Sequence, residues 1–299
     1  MSLTRRSLLG AAAAMLAVGR ARAAGVLTRV IPATGEAIPA VGLGTWATFN
    51  VGDDPAAMDA CADVMCAFFE AGGRLIDSSP MYGSSQATIG HGLARLGGGA
   101  PVFAADKVWI SSGEAGPGQI EQSRTLWGVP RFDLLQVHNL RAWQDHLPTL
   151  LAMKAAGTLR YVGITTSEGR RHEAFEAVMR DHPLDFIQVT YNPVDREAED
   201  RILPLAQERG MAVLVNRTFR QGALTRALEG TPLPGWAGEI DCASWAQVLL
   251  KYALSHPAVT CAIPATTRPD HAAENMAAAA EPLPDAALRR RIEEAVAAA

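Results

Sequence analysis

Arg74-Leu75-Ile76-Asp77-Ser78-Ser79-Pro80-Met81-Tyr82-Gly83-Ser84-Ser85 reads as the joint between a strand, a loop and a helix. A short apolar run brings Asp77 to the point where a strand ends. Pro80 and Gly83 punctuate a loop carrying Tyr82, one of four tyrosines. Ser84-Ser85 then read as the N-cap of a helix running to Leu96. The same unit recurs along the chain. Upstream, Thr34-Gly35-Glu36 reads as the turn of a small hairpin leading into a strand at 40–44, and a helix at 54–71 stops at Gly72-Gly73. Downstream come strands at 102–107, 133–138, 160–164, 185–190, 211–215 and 259–263. Helices follow at 118–127, 145–156, 170–181, 197–209, 241–255 and 269–279, with a last one from about Pro284. Eight short apolar strands alternating with helices predict an α/β fold, a (β/α)8 TIM barrel with a short N-terminal β-hairpin and a C-terminal helix. No G-x-G-x-x-G follows an early strand, which weighs against a doubly wound sheet.

The first 23 residues read as an export signal. Thr4-Arg5-Arg6-Ser7-Leu8-Leu9-Gly10 carries paired arginines, an apolar Ala-rich run follows to Gly19, and Ala21-Arg22-Ala23 offers small residues for cleavage. That run is shorter than the roughly 20 residues of a membrane span. The expectation is a twin-arginine signal peptide over 1–23, use of the corresponding export machinery, a periplasmic or otherwise exported product without a membrane anchor after processing, and a single barrel domain over 24–299. The chain has 27 Lys+Arg against 31 Asp+Glu, and four of those cations fall in the signal, so the remainder carries −8. An acidic surface without a basic stripe excludes nucleic acid as the expected partner. Cys61, Cys66, Cys242 and Cys261 show neither C-x-x-C spacing nor a His pairing, so no metal site is expected and free thiols are.

Barrel enzymes place their chemistry at the C-terminal ends of strands. Here those ends carry Gly44-Thr45-Trp46, then Asp77 with Tyr82, then Lys107, then His138. Lys107 is one of only three lysines in a chain with 24 arginines; a compact ammonium can sit beside a phenol where a planar guanidinium fits poorly. An acid beside a lysine holds the ammonium charged, and that cation lowers the pKa of a neighbouring phenol from its usual ~10. A nearby imidazole completes the donor set around a developing oxyanion. Such a group protonates a carbonyl oxygen while hydride reaches the carbon. Trp46, Phe49, Trp109 and Asn139 follow strands and could line an apolar substrate pocket.

At this point the chain resembles the aldo-keto reductase superfamily over residues 26–280. The resemblance rests on Gly42-Leu43-Gly44-Thr45-Trp46, on Asp77 to Tyr82-Gly83, on Lys107, and on His138 after Leu135-Gln136-Val137. It implies reduction of aldehydes or ketones to alcohols by hydride from NADPH, with a small carbonyl compound as substrate. Tyr82 would be the general acid, Lys107 and Asp77 would tune it, and His138 would orient the carbonyl. It also implies an NADP(H) site built from Gly44, Thr45, Trp46, Asp77, Thr165, Thr166, Gln188, Asn216, Arg217, Ile263, Thr266, Arg268, Glu274 and Asn275. Gln188 matches a carboxamide contact. The run from Ile263 to Asn275 resembles the adenosine-phosphate motif, at a helix N-terminus that would meet the phosphate; Thr266 and Arg268 would hold the 2′-phosphate, Glu274 and Asn275 would face the adenine. Thr166 stands where the family often has Asn, Asn216 where many members stack Tyr, and His271 where Arg is frequent. Those departures motivate an alternative, an exported nicotinamide-nucleotide binding or sensor protein with little turnover. A barrel aldolase or isomerase using Lys107 as a Schiff base is the third reading, opposed by Asp77, which would keep the amine charged.

Overall fold

Along a barrel strand every second side chain points inward, and this alternation builds both the core and the site. The computed structural model describes residues 25–167 and 169–299; the expected export signal lies outside the described residues. A two-stranded antiparallel hairpin, β1 (Thr28–Val30) and β2 (Ala37–Pro39), precedes eight parallel strands. These are β3 (Leu43–Gly44), β4 (Leu75–Asp77), β5 (Phe103–Val108), β6 (Leu134–Val137), β7 (Tyr161–Thr165), β8 (Phe186–Thr190), β9 (Ala212–Asn216) and β10 (Val259–Ala262). Each pairs with its neighbours in chain order. Bridges Val41–Ala262 and Gly44–Ala265 close β10 back onto the first strand, so the expected barrel is formed. A Cβ on Gly44 would stand 2.6 Å from the Ile263 carbonyl oxygen, so glycine is what permits that closure.

Two cores follow from the alternation. Leu75, Phe103, Leu134, Tyr161, Phe186, Ala212 and Leu214 fill the barrel interior together with Ile31 and Ile38 of the hairpin, which plugs the bottom. Thr34 Oγ1 lies 2.7 Å from Tyr161 Oη, fastening that plug. The other strand residues face the surrounding helices: α1 (Pro55–Glu70), α2 (Ser85–Arg95), α3 (Gly116–Trp127), α4 (Trp143–Ala155), α5 (His172–Asp181), α6 (Ile202–Glu208), α7 (Ala223–Ala227), α8 (Trp245–Leu254), α9 (Pro269–Ala277) and α10 (Ala286–Ala297).

Three local expectations need correction. Residues 197–209 form a 3₁₀ turn, Glu197–Glu199, and then α6, because Pro204 has no N–H to continue a helix across Asp200. The loop after β9 carries the short helix α7, which its Arg- and Gly-containing sequence did not announce. Ser84 occupies the N-cap position of α2 without capping it: its hydroxyl accepts instead from Gly52 N at 2.8 Å. Lysine usage also has a structural reason. Lys154 donates to both oxygens of Asp185 at 2.6 and 2.7 Å, and buried Lys251 donates to the carbonyls of Ile240 and Pro282. Each ammonium serves as a point donor in a confined acceptor set. Among the described residues no helix is long and apolar enough to cross a membrane, and no His/Cys/Asp/Glu group could hold a metal. The four cysteines are free, Cys66 half-buried and the others buried.

Candidate active site

Above the apolar layers, the inward positions turn polar: Asp77 of β4, Lys107 of β5, Gln136 of β6 and Gln188 of β8 meet in the barrel near its mouth. Lys107 Nζ donates to Asp77 Oδ2 at 2.5 Å and to the Ser78 carbonyl at 2.7 Å. Asp77 Oδ1 accepts from Gln188 Nε2 at 2.8 Å and from Gln136 Nε2 at 3.3 Å. All four side chains are buried. A buried ion pair persists only where extra hydrogen bonds satisfy its remaining lone pairs, and the two amides supply them. Burial works to lower the Lys107 pKa, but Asp77 and its neighbours outweigh it and hold the ammonium above the ordinary lysine value. The charged lysine disfavours the Schiff-base reading.

Tyr82 hangs from the β4–α2 loop, its backbone N–H donating to the Ser79 carbonyl at 2.9 Å. The Lys107 ammonium lies 5.0 Å from its ring centroid, and the His138 ring stands edge-on to it at 5.8 Å. The expected lowering of the phenol pKa is not found. Burial pushes it upward, and the opposing pull of Lys107 is smaller. Tyr82 therefore holds its proton at any ordinary pH. His138 opens a 3₁₀ turn, His138–Leu140, at the end of β6. Burial, helped by the Lys107 charge, pushes its pKa down to about 2, so the ring is neutral. Its Nδ1 lies 2.8 Å from Ser79 Oγ, which also accepts from Met81 N at 3.2 Å. The turn is strained: Asn139, Leu140 and Ala142 have φ of 52°, 55° and 46°.

A cavity of about 510 Å³ opens over these groups. Its wall gathers most of the residues expected at the site: Gly44, Thr45, Trp46, Asp77, Tyr82, His138, Thr165, Thr166, Gln188, Asn216, Arg217 and Ile263. Lys107 lies beneath the floor. Thr45 is a strut as well as a wall residue, its hydroxyl donating to the Asp77 carbonyl at 2.9 Å. Thr165 Oγ1 accepts from Asn139 N. Asn216 Nδ2 donates to the Thr166 carbonyl at 3.0 Å and to Gln188 Oε1 at 3.3 Å, while its Oδ1 accepts from Thr190. Thr166 Oγ1 donates to the Arg170 carbonyl.

Thr266, Arg268, Glu274 and Asn275 are not part of that wall. They lie at and beyond the start of α9, where Arg268 is the N-cap residue and its guanidinium pairs with Asp270 at 2.5 Å. Thr266 Oγ1 accepts the Arg268 N–H at 3.1 Å. Glu274 is half-buried, and Asn275 is buried. On the substrate side, Trp46 and Asn139 line the cavity and Trp109 is half-buried beside His138 at 6.5 Å between rings. Phe49 is wholly buried in the helix–strand core and lines nothing. Sequence reasoning missed Ser79 and Gln136 as partners of named residues. Gln136 carried a readable signal, standing two positions before His138 on the same inward face. Ser79 carried none beyond its place between Asp77 and Tyr82. Met81, Arg170 and Phe219 are further wall residues it did not name.

Residues 40–296 match the model of the aldo/keto reductase family. The chain is 27% identical over 256 residues to an uncharacterized oxidoreductase of Schizosaccharomyces pombe, covering 77% of each chain. It is 26% identical over 233 residues to an NADH-specific methylglyoxal reductase of Escherichia coli, covering 66% of this chain and 68% of that one. Among solved structures, an aldo-keto reductase from Klebsiella pneumoniae in complex with NADPH superposes with a TM-score of 0.74 at 22% identity, over 91% of this chain and 95% of that one. The holo form of an aldo-keto reductase from Bacillus halodurans gives 0.73 at 20% identity, over 91% and 96%.

Proposed function

The chain belongs to the aldo/keto reductase family, and from that premise we propose that this oxidoreductase reduces aldehydes or ketones to alcohols with NADPH, Tyr82 serving as general acid. The observation that carries the reading is the buried Lys107–Asp77 pair lying directly under a phenol that borders an open cavity. The cavity residues fit a nicotinamide dinucleotide in size and charge. Its volume is within the usual range for ligand sites, Arg170 and Arg217 stand on its wall, and the first turn of α9, opened by Pro269, has no N-cap side chain bonded to its N–H groups. Gln188, Asn216 and Thr166 would hold the carboxamide end, and Thr266, Arg268, Glu274 and Asn275 the adenosine end. Bound there, NADPH supplies a hydride to the carbonyl carbon.

The remaining steps belong to the chain's own groups. Tyr82 Oη and His138 Nε2 both donate to the carbonyl oxygen and fix its position. Ser79 Oγ, 2.8 Å from His138 Nδ1, fixes the ring, and with its hydrogen given to Nδ1 the ring hydrogen stays on Nε2, facing the carbonyl. The high phenol pKa keeps the proton on Tyr82 until the carbonyl oxygen gains negative charge. The proton then moves from Oη to that oxygen, and Lys107, kept charged by Asp77, stabilises the phenolate until water returns a proton.

The test follows NADPH absorbance with a reactive aromatic aldehyde. Tyr82→Phe should cost roughly 10²–10⁴-fold in rate, with NADPH binding, read by tryptophan fluorescence, retained. The second reading is a nucleotide-binding protein with little turnover, favoured by Thr166 and Asn216, whose polar atoms are spent on each other's neighbourhood. Equal, negligible rates for wild type and Tyr82→Phe, with tight NADPH binding, would decide for it. Export by the twin-arginine route, supported by Arg5-Arg6 and Ala21-Arg22-Ala23, implies folding around the nucleotide before translocation. Purification from the exported compartment without bound nucleotide would refute that part alone.

A further inference from the structure

We infer that the preferred substrates of this site are carbonyl compounds carrying a carboxylate, recognised by Arg141 with Arg171 behind it; the inference rests on the reductase reading above. Three contacts lead outward from Tyr82: His138 at 5.8 Å, Trp109 at 6.5 Å from His138, and the Arg141 guanidinium 4.6 Å over the Trp109 ring. Trp109 is a fixed platform. Its backbone N–H donates to Gln119 Oε1 at 2.7 Å, and Gln119 Nε2 donates back to its carbonyl at 3.2 Å. Arg141 is held as firmly. Its backbone N–H donates to the His138 carbonyl at 3.0 Å, and Nε and Nη2 both donate to Ser111 Oγ.

Two hydrogen bonds and a stacked ring thus hold an exposed guanidinium over Trp109, just outside the cavity wall on the His138 side, and no described carboxylate neutralises it. Arg171 donates to the Asn139 carbonyl at 2.7 Å and likewise has no carboxylate partner among the described residues. Arg141 thus belongs to the strained 138–142 turn that positions His138, and Arg171 holds that turn from outside. A turn with three left-handed non-glycine residues is costly, and its effect is to put a cation and the imidazole on one short rigid segment. A planar fork suits a carboxylate, bound in a charge-assisted pair. The carbonyl would sit at Tyr82 and His138, the carboxylate at Arg141, and an apolar spacer beside Trp109.

A matched pair of aldehydes tests this: 4-formylbenzoate and its neutral methyl ester, whose carbonyls are similarly electrophilic. At low salt the wild type should favour the acid in kcat/KM by roughly tenfold, and the preference should shrink as ionic strength rises. Arg141→Gln should bring the acid-to-ester ratio close to one, Arg141→Lys should retain part of it, and Arg171→Gln should lower it less. Terephthalate binding, followed by tryptophan fluorescence on protein holding NADP+, should weaken in Arg141→Gln by a similar factor. Equal kcat/KM for acid and ester in the wild type, or a preference that survives Arg141→Gln, overturns the inference while leaving the reductase reading intact. Failure to oxidise NADPH with either aldehyde overturns the reductase reading and the inference with it.

Discussion

On the side of the mouth formed by β4, β5 and β6, the chemistry-bearing groups are fastened to one another below the surface; on the side formed by β9, β10 and α9 they stand at the rim. Asp77 has both oxygens bonded, Lys107 is enclosed, and His138 leans on Ser79. Across the mouth, Arg268 is exposed and spends its charge on Asp270, while Arg217 and Gln221 hold left-handed backbone in a loop. The difference matches what the proposed reaction asks of each side. On the proposed reading the deep side holds a proton donor, which needs a fixed electrostatic environment of the kind burial and short hydrogen bonds provide. On the same reading the rim holds a nucleotide that is to enter and leave, which needs accessible cations and N–H groups of the kind loops and helix ends provide.

The contrast is broken most severely by Lys107→Met. It leaves Asp77 buried without its cation, so stability should fall by roughly 3–5 kcal/mol and the rate by roughly 10³-fold or more. Combining it with Asp77→Asn should restore the urea midpoint without restoring turnover, which separates the structural from the catalytic share of the pair.

Acid comes next. His138 takes up no proton in the fold until about pH 2, whereas its ordinary value is 6.5. Between those limits the unfolded chain binds the extra proton, so stability drops as pH falls, by up to ~1.4 kcal/mol per pH unit. Asp106, packed outside the barrel against Gln86, works the other way. Burial pushes its carboxyl up to about 7 from 3.8, so the fold keeps a proton that the unfolded chain releases and gains stability as pH falls through that window. The two contributions oppose between about pH 4 and 6.5. Urea midpoints should therefore change little there and fall below about pH 4, while His138→Asn should gain stability on going from pH 7 to 4.

Ser79→Ala is milder, costing about tenfold in kcat/KM with the fold retained, because the ring loses the bond that sets its tautomer. Nitrogen-15 spectra of the imidazole should show the hydrogen redistributed between Nδ1 and Nε2; an unchanged spectrum would show that Ser79 does not set it. The smallest effect belongs to the rim: Asp270→Asn frees Arg268 and should improve NADPH over NADH in binding by about two- to threefold.

Strand alternation made the deep side readable. Asp77, Lys107 and Gln188 fall on inward positions at strand ends, and a period of two carries directly into geometry. Lys107 was marked further by its rarity. What escaped was what alternation does not encode: that Ser79 reaches His138, that burial outweighs Lys107 in setting the Tyr82 phenol, and that Phe49 turns into the core. The rim was legible only through the resemblance of the run from Ile263 to Asn275, since a loop's path depends on left-handed residues such as Arg217 and Arg220 that carry no glycine to announce them. The loop helix α7 was missed for the same reason.

The scarcity of lysine has a practical consequence. Of the ε-amines in the described chain, those of Lys107 and Lys251 are buried, and only Lys154, its side chain 37% exposed, is open to solvent. It sits at the end of α4 beside Asp185, at the foot of the barrel. Coupling through lysine side chains would therefore tether the described domain at Lys154, on the face away from the cavity, leaving the mouth turned outward.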